Sequence, residues 1–326
     1  MHVTEFFMPF DSEGANPAES EAEQVMWAWL ERCDLVPSEP TRRRMRRTRP
    51  ARMYALWCPY AGVDALGLLS RFTAWAFIVD DQFDIEIPDP ARTLATITEL
   101  EEVFEYGAQP RGVLAVAFAE LWRELCAGRS SQWRHAVRTE LSAWLWTYYT
   151  ESIGRLTDRY PDLDDYRAHR RDSVALYVFL DISEIAEGVD LCAAARGLPA
   201  LRAIREASVE HMGLFNDILS IDSDEASEYL YNSVLLAERQ QGLDRKQAVE
   251  VVDRMLTECV RRMLTGIDAL PAELDAAGLS GRERADILST ATCYTRYVRA
   301  NFDYHYQAAR YTSAPREALE HGAPLT

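Results

Sequence analysis

The chain has 326 residues, 48% of them hydrophobic and 27% charged, which is enough apolar material for a substantial core and excludes disorder along the whole length. The formal net charge of −17 also argues against a nucleic-acid-binding protein, because such proteins take most of their affinity from basic contacts to phosphate. An acidic enzyme that acts on an anionic substrate needs a local source of positive charge, and bound divalent cations would supply it.

Helical periodicity dominates the sequence, and alternating strand-like runs are nearly absent. We predict ten helices, at residues 19–31, 63–84, 91–106, 113–126, 132–156, 163–187, 198–221, 228–241, 245–269 and 281–311. Glycines and prolines separate them, among them Pro88, Gly188, Gly242 and Pro271. With no internal repeat and no linker rich in glycine or serine, the sequence indicates one all-α domain over residues 1–326, with an N-terminal segment at 1–17 and a flexible tail at 312–326.

We expect no targeting signal in residues 1–7, since they contain neither a basic segment nor a long apolar one. The six cysteines are scattered without CxxC spacing, a pattern typical of reduced thiols. No stretch approaches 18 uninterrupted apolar residues, so no membrane span is predicted. We therefore expect a cytoplasmic protein.

Residues 42–47, Arg-Arg-Arg-Met-Arg-Arg, form one basic run in this acidic chain. Such a run is compatible with a nucleic-acid patch or a targeting signal. The simpler interpretation is a solvated helix face, and we adopt it here.

The first candidate site is Asp80-Asp81-Gln82-Phe83-Asp84, which closes the apolar stretch 75–79. On a helix, Asp80 and Asp84 are four residues apart and share one face, where like charges repel. Mg²⁺ typically binds one or two carboxylates of this kind and completes its coordination shell with water and phosphate oxygens. The pattern therefore favours a magnesium site, while a solvated acidic helix end is the alternative.

The second candidate site lies within residues 216–224, where Asn216, Ser220 and Asp224 recur every four residues along one helix face. All three side chains offer the hard oxygen ligands that Mg²⁺ prefers. Eight residues of regular helix span about 12 Å, so a helix that presents all three to one ion should open or end near Ser223. An acidic helix end followed by a loop is the alternative.

Taken together, these two segments, 136 residues apart, resemble the aspartate-rich motif and the "NSE" triad of the bacterial class I terpene synthases, or terpene cyclases. Arg170 lies 46 residues before Asn216, where this family places a pyrophosphate-sensing arginine. Arg310-Tyr311 resembles the C-terminal Arg-Tyr pair of the family, and residues 7–10, 16–17 and Trp27 resemble its N-terminal segment. The resemblance covers almost the whole chain.

The resemblance implies a single-domain α-helical bundle of the class I terpenoid synthase type, with about 10–12 helices around a central apolar cavity. It implies a carbon–oxygen lyase that uses three Mg²⁺ ions to ionise a linear prenyl diphosphate and cyclises the carbocation to a terpene hydrocarbon or alcohol. Family frequency favours farnesyl diphosphate as the substrate, with geranylgeranyl diphosphate second. A homodimer is common among relatives, and the sequence does not determine the oligomeric state.

By the same resemblance, Asp80 should hold two of the Mg²⁺ ions, and Asn216, Ser220 and Asp224 the third. Asp84 is expected to act through ordered water, and Asp81 as a salt-bridge partner. The Mg²⁺ ions, and hydrogen-bond donors aimed at the leaving diphosphate, would stabilise the charge that develops there more than they stabilise the ground state.

Two arginines and a tyrosine are the implied diphosphate ligands. Arg170 and Arg310 should grip diphosphate oxygens, because the guanidinium fork suits that geometry, and Tyr311 should donate its hydroxyl. For either arginine considered alone, a surface ion pair is the alternative.

Aromatic faces can stabilise a carbocation, which has no hydrogen-bonding group. Phe77, about one turn before Asp80, is therefore the first candidate for a catalytic pocket wall, followed by Phe83, Trp75 and Tyr304. Val174 matches the position whose backbone carbonyl faces the substrate at a helix break. A plain core role is the alternative for each aromatic residue.

The sequence departs from the family pattern at several positions. Ser223 stands where a lysine or arginine usually precedes the last triad ligand, which removes one contact to diphosphate. Asp224 is shorter than the usual glutamate, and Glu225 is the alternative third ligand. Ser173 and Ala175 replace the commoner threonine and glycine near Arg170.

Two other functions are weighed against this one. A chain-elongating prenyltransferase of the same fold would carry two aspartate-rich motifs and lysine-containing diphosphate contacts, whereas this chain has Asn-Asp-x-x-Ser and a single lysine, Lys246. A non-catalytic helical interaction protein would leave both acidic motifs solvated.

Overall fold

The computed structural model describes residues 6–83 and 87–312, with side chains through residue 310. Within these residues the chain forms fifteen helices and no β-strand. They are α1 (Glu19–Arg32), α2 (Glu39–Thr48), α3 (Pro50–Trp57), α4 (Val63–Phe83), α5 (Pro90–Tyr106), α6 (Val113–Leu125), α7 (Ser131–Thr157), α8 (Leu163–Ser173), α9 (Leu176–Glu187), α10 (Ala193–Arg196), α11 (Pro199–Ala226), α12 (Ser233–Gln241), α13 (Arg245–Ala276), α14 (Gly281–Gln307) and α15 (Ala309–Thr312).

The all-α prediction is confirmed, and twelve of these helices have nine or more residues. Side chains that accept hydrogen bonds from the first turn explain where several of them begin. Ser130 accepts from the backbone of Trp133 at 3.0 Å, which starts α7. Asp244 and Gln247 form a reciprocal capping box at the start of α13. Asn232 caps α12, which is why that helix begins five residues later than predicted.

The structure corrects three of the predicted helices. Residues 163–187 form two helices instead of one, because Ala175 adopts a left-handed φ of 63° between α8 and α9. Residues 281–311 are likewise divided, at Ala308. Pro271 does not end α13, which continues to Ala276; it is exposed, so water can bond to the carbonyl that the ring leaves unpaired.

Helices α2, α3 and α10 are not among the ten predicted helices, although residues 42–47 of α2 are expected to form a solvated helix face. Helix α2 is dominated by arginine and has no apolar stripe long enough to give a periodic signal. Ser38 caps its start, and Arg49, with φ 51°, joins it to α3. Helix α10 has only four residues. Short helices of this kind depend on packing and capping more than on periodicity.

An aromatic layer fixes the start of α9 against α3, α4 and α14. Phe179 lies 6.1 Å from Tyr54 and 5.4 Å from Phe72 between ring centroids, and Trp57 stacks on Tyr297 at 4.7 Å. The Tyr54 hydroxyl donates to the Phe179 carbonyl at 3.2 Å. Because all five rings are at most 5% exposed, this layer rigidly positions α9.

Helix α13 packs closely against α11, which carries the second candidate site. At Gly266 of α13, an added Cβ would lie 2.6 Å from Ile204 Cγ1 and 3.1 Å from the Ala200 carbonyl oxygen. Glycine at this point is therefore required for the close approach of the two helices. None of the helices in the described ranges combines the length and hydrophobicity needed to cross a bilayer.

The close approach predicts the effect of substituting Gly266. Gly266→Ala should lower the free energy of unfolding by about 1–3 kcal/mol through overpacking of α11 against α13. Gly62→Ala is the matched control, since no heavy atom lies within 4 Å of a Cβ there. Chemical denaturation of both variants measures the difference, and equal stabilities would show that α11 and α13 can separate without loss.

Candidate metal and diphosphate site

The two candidate motifs face one cavity of about 290 Å³ that lies between α4, α7, α9, α11 and α14. Asp80 comes from the end of α4, and Asn216, Ser220 and Asp224 come from α11. The two segments are 136 residues apart in sequence, so only the tertiary fold brings them together. Polar side chains and apolar ones both line this cavity.

The other predicted site residues fall into three groups. Two arginines and four wall residues line the same cavity; they are Arg170, Arg310, Phe77, Phe83, Val174 and Tyr304. Asp84 and the side chain of Tyr311 lie outside the described residues. Trp75 does not line the cavity.

Trp75 lies instead in the core behind the cavity wall. It is fully buried, stacks on Phe118 with ring centroids 4.5 Å apart, and donates its indole N–H to the Leu114 carbonyl at 3.1 Å. Side chains two residues apart on an α-helix differ in direction by about 200°, so Trp75 and Phe77 point to nearly opposite sides of α4. The expectation that Trp75 forms part of the wall is corrected accordingly.

Asp81 is neutralised by two arginines. Arg44 of α2 contacts it through Nε at 2.7 Å and Nη2 at 2.6 Å, and Arg310 Nη1 lies 3.3 Å away. Burial disfavours the charged form, but the two guanidinium groups outweigh it and lower the pKa of Asp81. Asp81 is therefore a structural anion that holds α2 and α15 against the end of α4.

Asp80 lies beside this cluster and is more open to the cavity. It accepts a hydrogen bond from the Tyr148 hydroxyl at 3.1 Å and another from Arg310 Nη2 at 3.2 Å. Its side chain is 45% exposed, against 13% for Asp81. Of the two adjacent carboxylates, Asp80 is thus the one that an entering ligand can reach.

Aromatic rings cover the wall next to Asp80. The guanidinium of Arg310 lies 5.0 Å from the centroid of the Phe77 ring, within cation–π range. Phe83 stacks on Tyr148 at 4.4 Å, and the Tyr304 hydroxyl donates to the Thr48 carbonyl, which holds its ring in place.

The triad on α11 differs from the expectation in one respect. The helix continues through Asp224 to Ala226, so it neither opens nor ends near Ser223. Side chains four residues apart already lean toward each other on a helix, and the Ser220 hydroxyl donates to Asp224 Oδ2 at 2.6 Å without any distortion. Asn216 is engaged elsewhere, with Arg170 Nη2 at 2.8 Å from its Oδ1.

Asp224 has the electrostatic environment of a cation ligand. Besides Ser220, it accepts from Asn232 Nδ2 at 2.8 Å, and among the described residues no arginine or lysine forms an ion pair with it. Burial raises the pKa of Asp224 to about 7, because these neutral donors only partly replace water. A divalent cation would supply the missing positive charge, so the donor set fits a hard metal ion.

Glu225, the alternative third ligand, points away from the cavity. Its side chain is 61% exposed and pairs with Arg245 at 2.9 Å. Within the described ranges, no three His, Cys, Asp or Glu side chains form a group able to hold a metal ion. The candidate site accordingly depends on the amide and hydroxyl oxygens of Asn216 and Ser220.

Arg170 connects the triad to the helix break. Its Nε lies 2.9 Å from Asp217 Oδ1, and its Nη1 donates to the Ser173 hydroxyl at 3.4 Å. Ser173 is the last residue of α8, and Val174 follows at the break, where it lines the cavity. One guanidinium therefore contacts both α11 and the segment that shapes the cavity wall.

Sequence reasoning missed several residues at the site. Arg43, Arg44 and Arg47 line the cavity mouth, whereas the basic run was interpreted as a solvated helix face. Their spacing places them on one arc of a helix, a signal that becomes visible only once α2 is recognised. Tyr148 and Asn232 had no detectable signal, because each meets its carboxylate through a tertiary contact.

The Arg44–Asp81 pair predicts a measurable contribution to stability. Arg44→Gln should lower the free energy of unfolding by about 2 kcal/mol, because it removes a bidentate partner from a largely buried carboxylate. Arg46→Gln, on the same helix, breaks an exposed pair with Glu39 and a cation–π contact with Trp27, and should change it by less than about 1 kcal/mol. Thermal and urea unfolding compare the two, and indistinguishable variants would contradict the role of Arg44.

The chain matches known proteins over nearly its full length. The family description "Terpene synthase family 2, C-terminal metal binding" matches residues 71–262. The chain is 29% identical to the (2Z,6E)-hedycaryol synthase of Kitasatospora setae over 95% of its own length and 92% of that protein. It is 26% identical to the (2E,6E)-farnesyl diphosphate-cyclizing 4-epi-cubebol synthase of Streptosporangium roseum, over 96% and 93% of the two chains.

A solved structure agrees with these similarities. Hedycaryol synthase in complex with nerolidol superposes with a TM-score of 0.83 at 28% identity, over 94% of this chain and 100% of the other. The expected class I terpenoid synthase fold is thereby confirmed. Because the family match covers more than half of the sequence, the protein belongs to the terpene synthase family and is a lyase that depends on a divalent metal ion.

Proposed function

We propose that the protein uses Mg²⁺ to ionise farnesyl diphosphate and cyclises the resulting carbocation to a terpene hydrocarbon or alcohol. The observation that supports this most directly is that two separate sets of oxygen ligands, two arginines and several aromatic rings all line one cavity. Farnesyl diphosphate is the substrate that the Streptosporangium roseum relative cyclises. Geranylgeranyl diphosphate, the second expectation, has no comparable support.

In the proposed reaction, the C–O bond of the substrate breaks and its electron pair leaves with the diphosphate. Mg²⁺, when bound, stabilises the charge that builds up on that leaving group. Three such ions would be held by two sets of residues, Asp80 with Asp84 and Asn216 with Ser220 and Asp224.

The family resemblance also predicts a homodimer, and this oligomeric state stays a prediction.

The arginines and the apolar wall have complementary roles in this proposal. Arg170 and Arg310 would donate hydrogen bonds to the diphosphate, together with the hydroxyl of Tyr311. Phe77 and Phe83 would face the carbocation, exclude water and offer their ring faces to the positive charge. Product formation then requires loss of a proton, either directly from the cation to give a hydrocarbon or after capture of one water molecule to give an alcohol.

Product analysis tests this function directly. The purified protein is incubated with Mg²⁺ and farnesyl diphosphate, with or without isopentenyl diphosphate, and the products are identified by gas chromatography. A cyclic terpene from farnesyl diphosphate alone is the expected result. A longer prenyl diphosphate that forms only with isopentenyl diphosphate would replace the proposal with chain elongation, and no turnover of any prenyl diphosphate would reject it.

The candidate metal ligands predict a loss of activity without a loss of fold. Asp80→Asn or Asn216→Leu should reduce turnover by about two orders of magnitude or more, because each removes an oxygen that would hold a metal ion at the leaving group. Asp64→Asn is the control, since this exposed carboxylate lies on the same helix at its opposite end. Steady-state kinetics and melting curves decide; near-normal turnover in either site variant would refute the ligand assignment.

The cavity wall predicts a change in product distribution. Phe77→Leu should redistribute the products more than it lowers the melting temperature, because the ring borders the cavity. Phe118→Leu should do the opposite, since Phe118 is buried behind Trp75 and does not line the cavity. Gas chromatography and thermal melting of both variants provide the comparison. An unchanged product profile in Phe77→Leu would assign that ring to the core.

A further inference from the structure

Asn216 needs a defined orientation if it is to bind a metal ion. One end of its amide is an oxygen, which can act as a ligand, and the other is an NH₂ group, which can only donate. Exchanging the two ends changes the shape of the side chain very little but removes the ligand. A residue that holds the Asn216 amide in one orientation therefore determines whether its oxygen can bind the metal ion.

His305 of α14 is placed to hold this orientation. Its Nδ1 lies 2.8 Å from the backbone carbonyl oxygen of Asn301, one turn earlier in the same helix. A carbonyl can only accept, so Nδ1 carries the ring proton. In the neutral ring, Nε2 then presents a lone pair, and Asn216 Nδ2 lies 3.1 Å from it.

The histidine ring is itself held firmly. It is 4% exposed and meets the rings of Phe215 and Tyr304 edge to face, with centroids 5.6 and 5.5 Å away. The Nε2 lone pair is thus a fixed acceptor aimed at α11.

The other end of the Asn216 amide agrees with this arrangement. Its Oδ1 accepts from Arg170 Nη2 at 2.8 Å. Reversing the amide would set its NH₂ group against the donor-only guanidinium and its oxygen against the Nε2 lone pair. When Arg170 turns to a diphosphate, the contact with His305 is what remains to hold the orientation.

We propose that His305 is a positioning residue that keeps the oxygen of Asn216, and not its NH₂ group, directed at the metal ion. This inference rests on the proposed function, because it assigns a metal-binding role to Asn216. It does not make His305 a proton acceptor in the reaction. Its contribution is the orientation of one ligand.

A double-mutant cycle measured by calorimetry tests this role. Inorganic pyrophosphate is titrated into the whole protein in saturating Mg²⁺, for the wild type, His305→Phe, Asn216→Asp and the double variant. His305→Phe should weaken binding about tenfold or more, as expected for loss of a contact that orients a metal ligand. His305→Gln, whose amide oxygen can accept from Asn216, should recover most of the affinity.

The Asn216→Asp background gives the discriminating result. A carboxylate has an oxygen at both ends and needs no orientation, so adding His305→Phe there should change the dissociation constant less than about threefold. An equal loss in both backgrounds would show that His305 only supports packing, and no loss in the wild-type background would overturn the inference outright. Should His305→Phe fail to melt cooperatively, His305→Leu takes its place in the same cycle.

The outcome is separable from that of the proposed function. A wild type that binds pyrophosphate with Mg²⁺ but converts no farnesyl diphosphate would reject the proposed substrate and leave the cycle to decide on His305. If the wild type converts farnesyl diphosphate, and His305→Phe changes pyrophosphate affinity equally in the wild-type and Asn216→Asp backgrounds, only the positioning role of His305 is rejected. A wild type that binds no pyrophosphate in Mg²⁺ would reject the metal site and this inference together.

Discussion

Carboxylates at the edge of an apolar cavity raise the free energy of the folded protein unless positive charge or hydrogen-bond donors compensate them. This protein compensates its two sets of acidic residues differently. Asp81 pairs with Arg44 and Arg310, and its pKa falls. Asp224 receives neutral donors, among them the hydroxyl of Ser220 and the amide of Asn232, and burial raises its pKa to about 7. The first arrangement is balanced by arginine charge, whereas the second would gain from a bound cation.

The arginines beside the cavity therefore have two sets of partners. Arg310 contacts Asp80 and Asp81, and Arg170 contacts Asn216 and Asp217. In the proposed reaction the same guanidinium groups bind diphosphate, while metal ions take the oxygens that the arginines now hold. An overall charge of −17 is compatible with an anionic substrate because six arginines line the cavity.

The sequence was sufficient for the parts of the structure that follow from local pattern. The long helices have apolar stripes, so their existence and approximate ends were predictable, and the spacing of Asn216, Ser220 and Asp224 was enough to place them on one face. Helix α2 was missed because its contacts are electrostatic and its sequence is mostly arginine. Trp75 is close to Asp80 along the chain, which suggests a place in the cavity wall. Its side chain points in another direction on the helix and lies in the core.

The contacts that complete the site were beyond the reach of the sequence. Arg44 meets Asp81 across 37 residues, and His305 meets Asn216 across 89. No local period joins such pairs, because each depends on how whole helices pack. The break between α8 and α9 was expected only from the family resemblance. Ala175 produces it with a φ of 63°, and alanine seldom adopts this left-handed conformation.

The aromatic layer behind α9 bears on how enzymes of this kind diverge. Phe179 lines the cavity, yet its position is set by Tyr54, Trp57 and Phe72, which do not line it. Close packing transmits small shape changes from one ring to the next. A mutation in this hidden layer can therefore remould the surface that folds the substrate, so two descendants of one ancestor can make different molecules while every residue that meets the hydrocarbon stays the same.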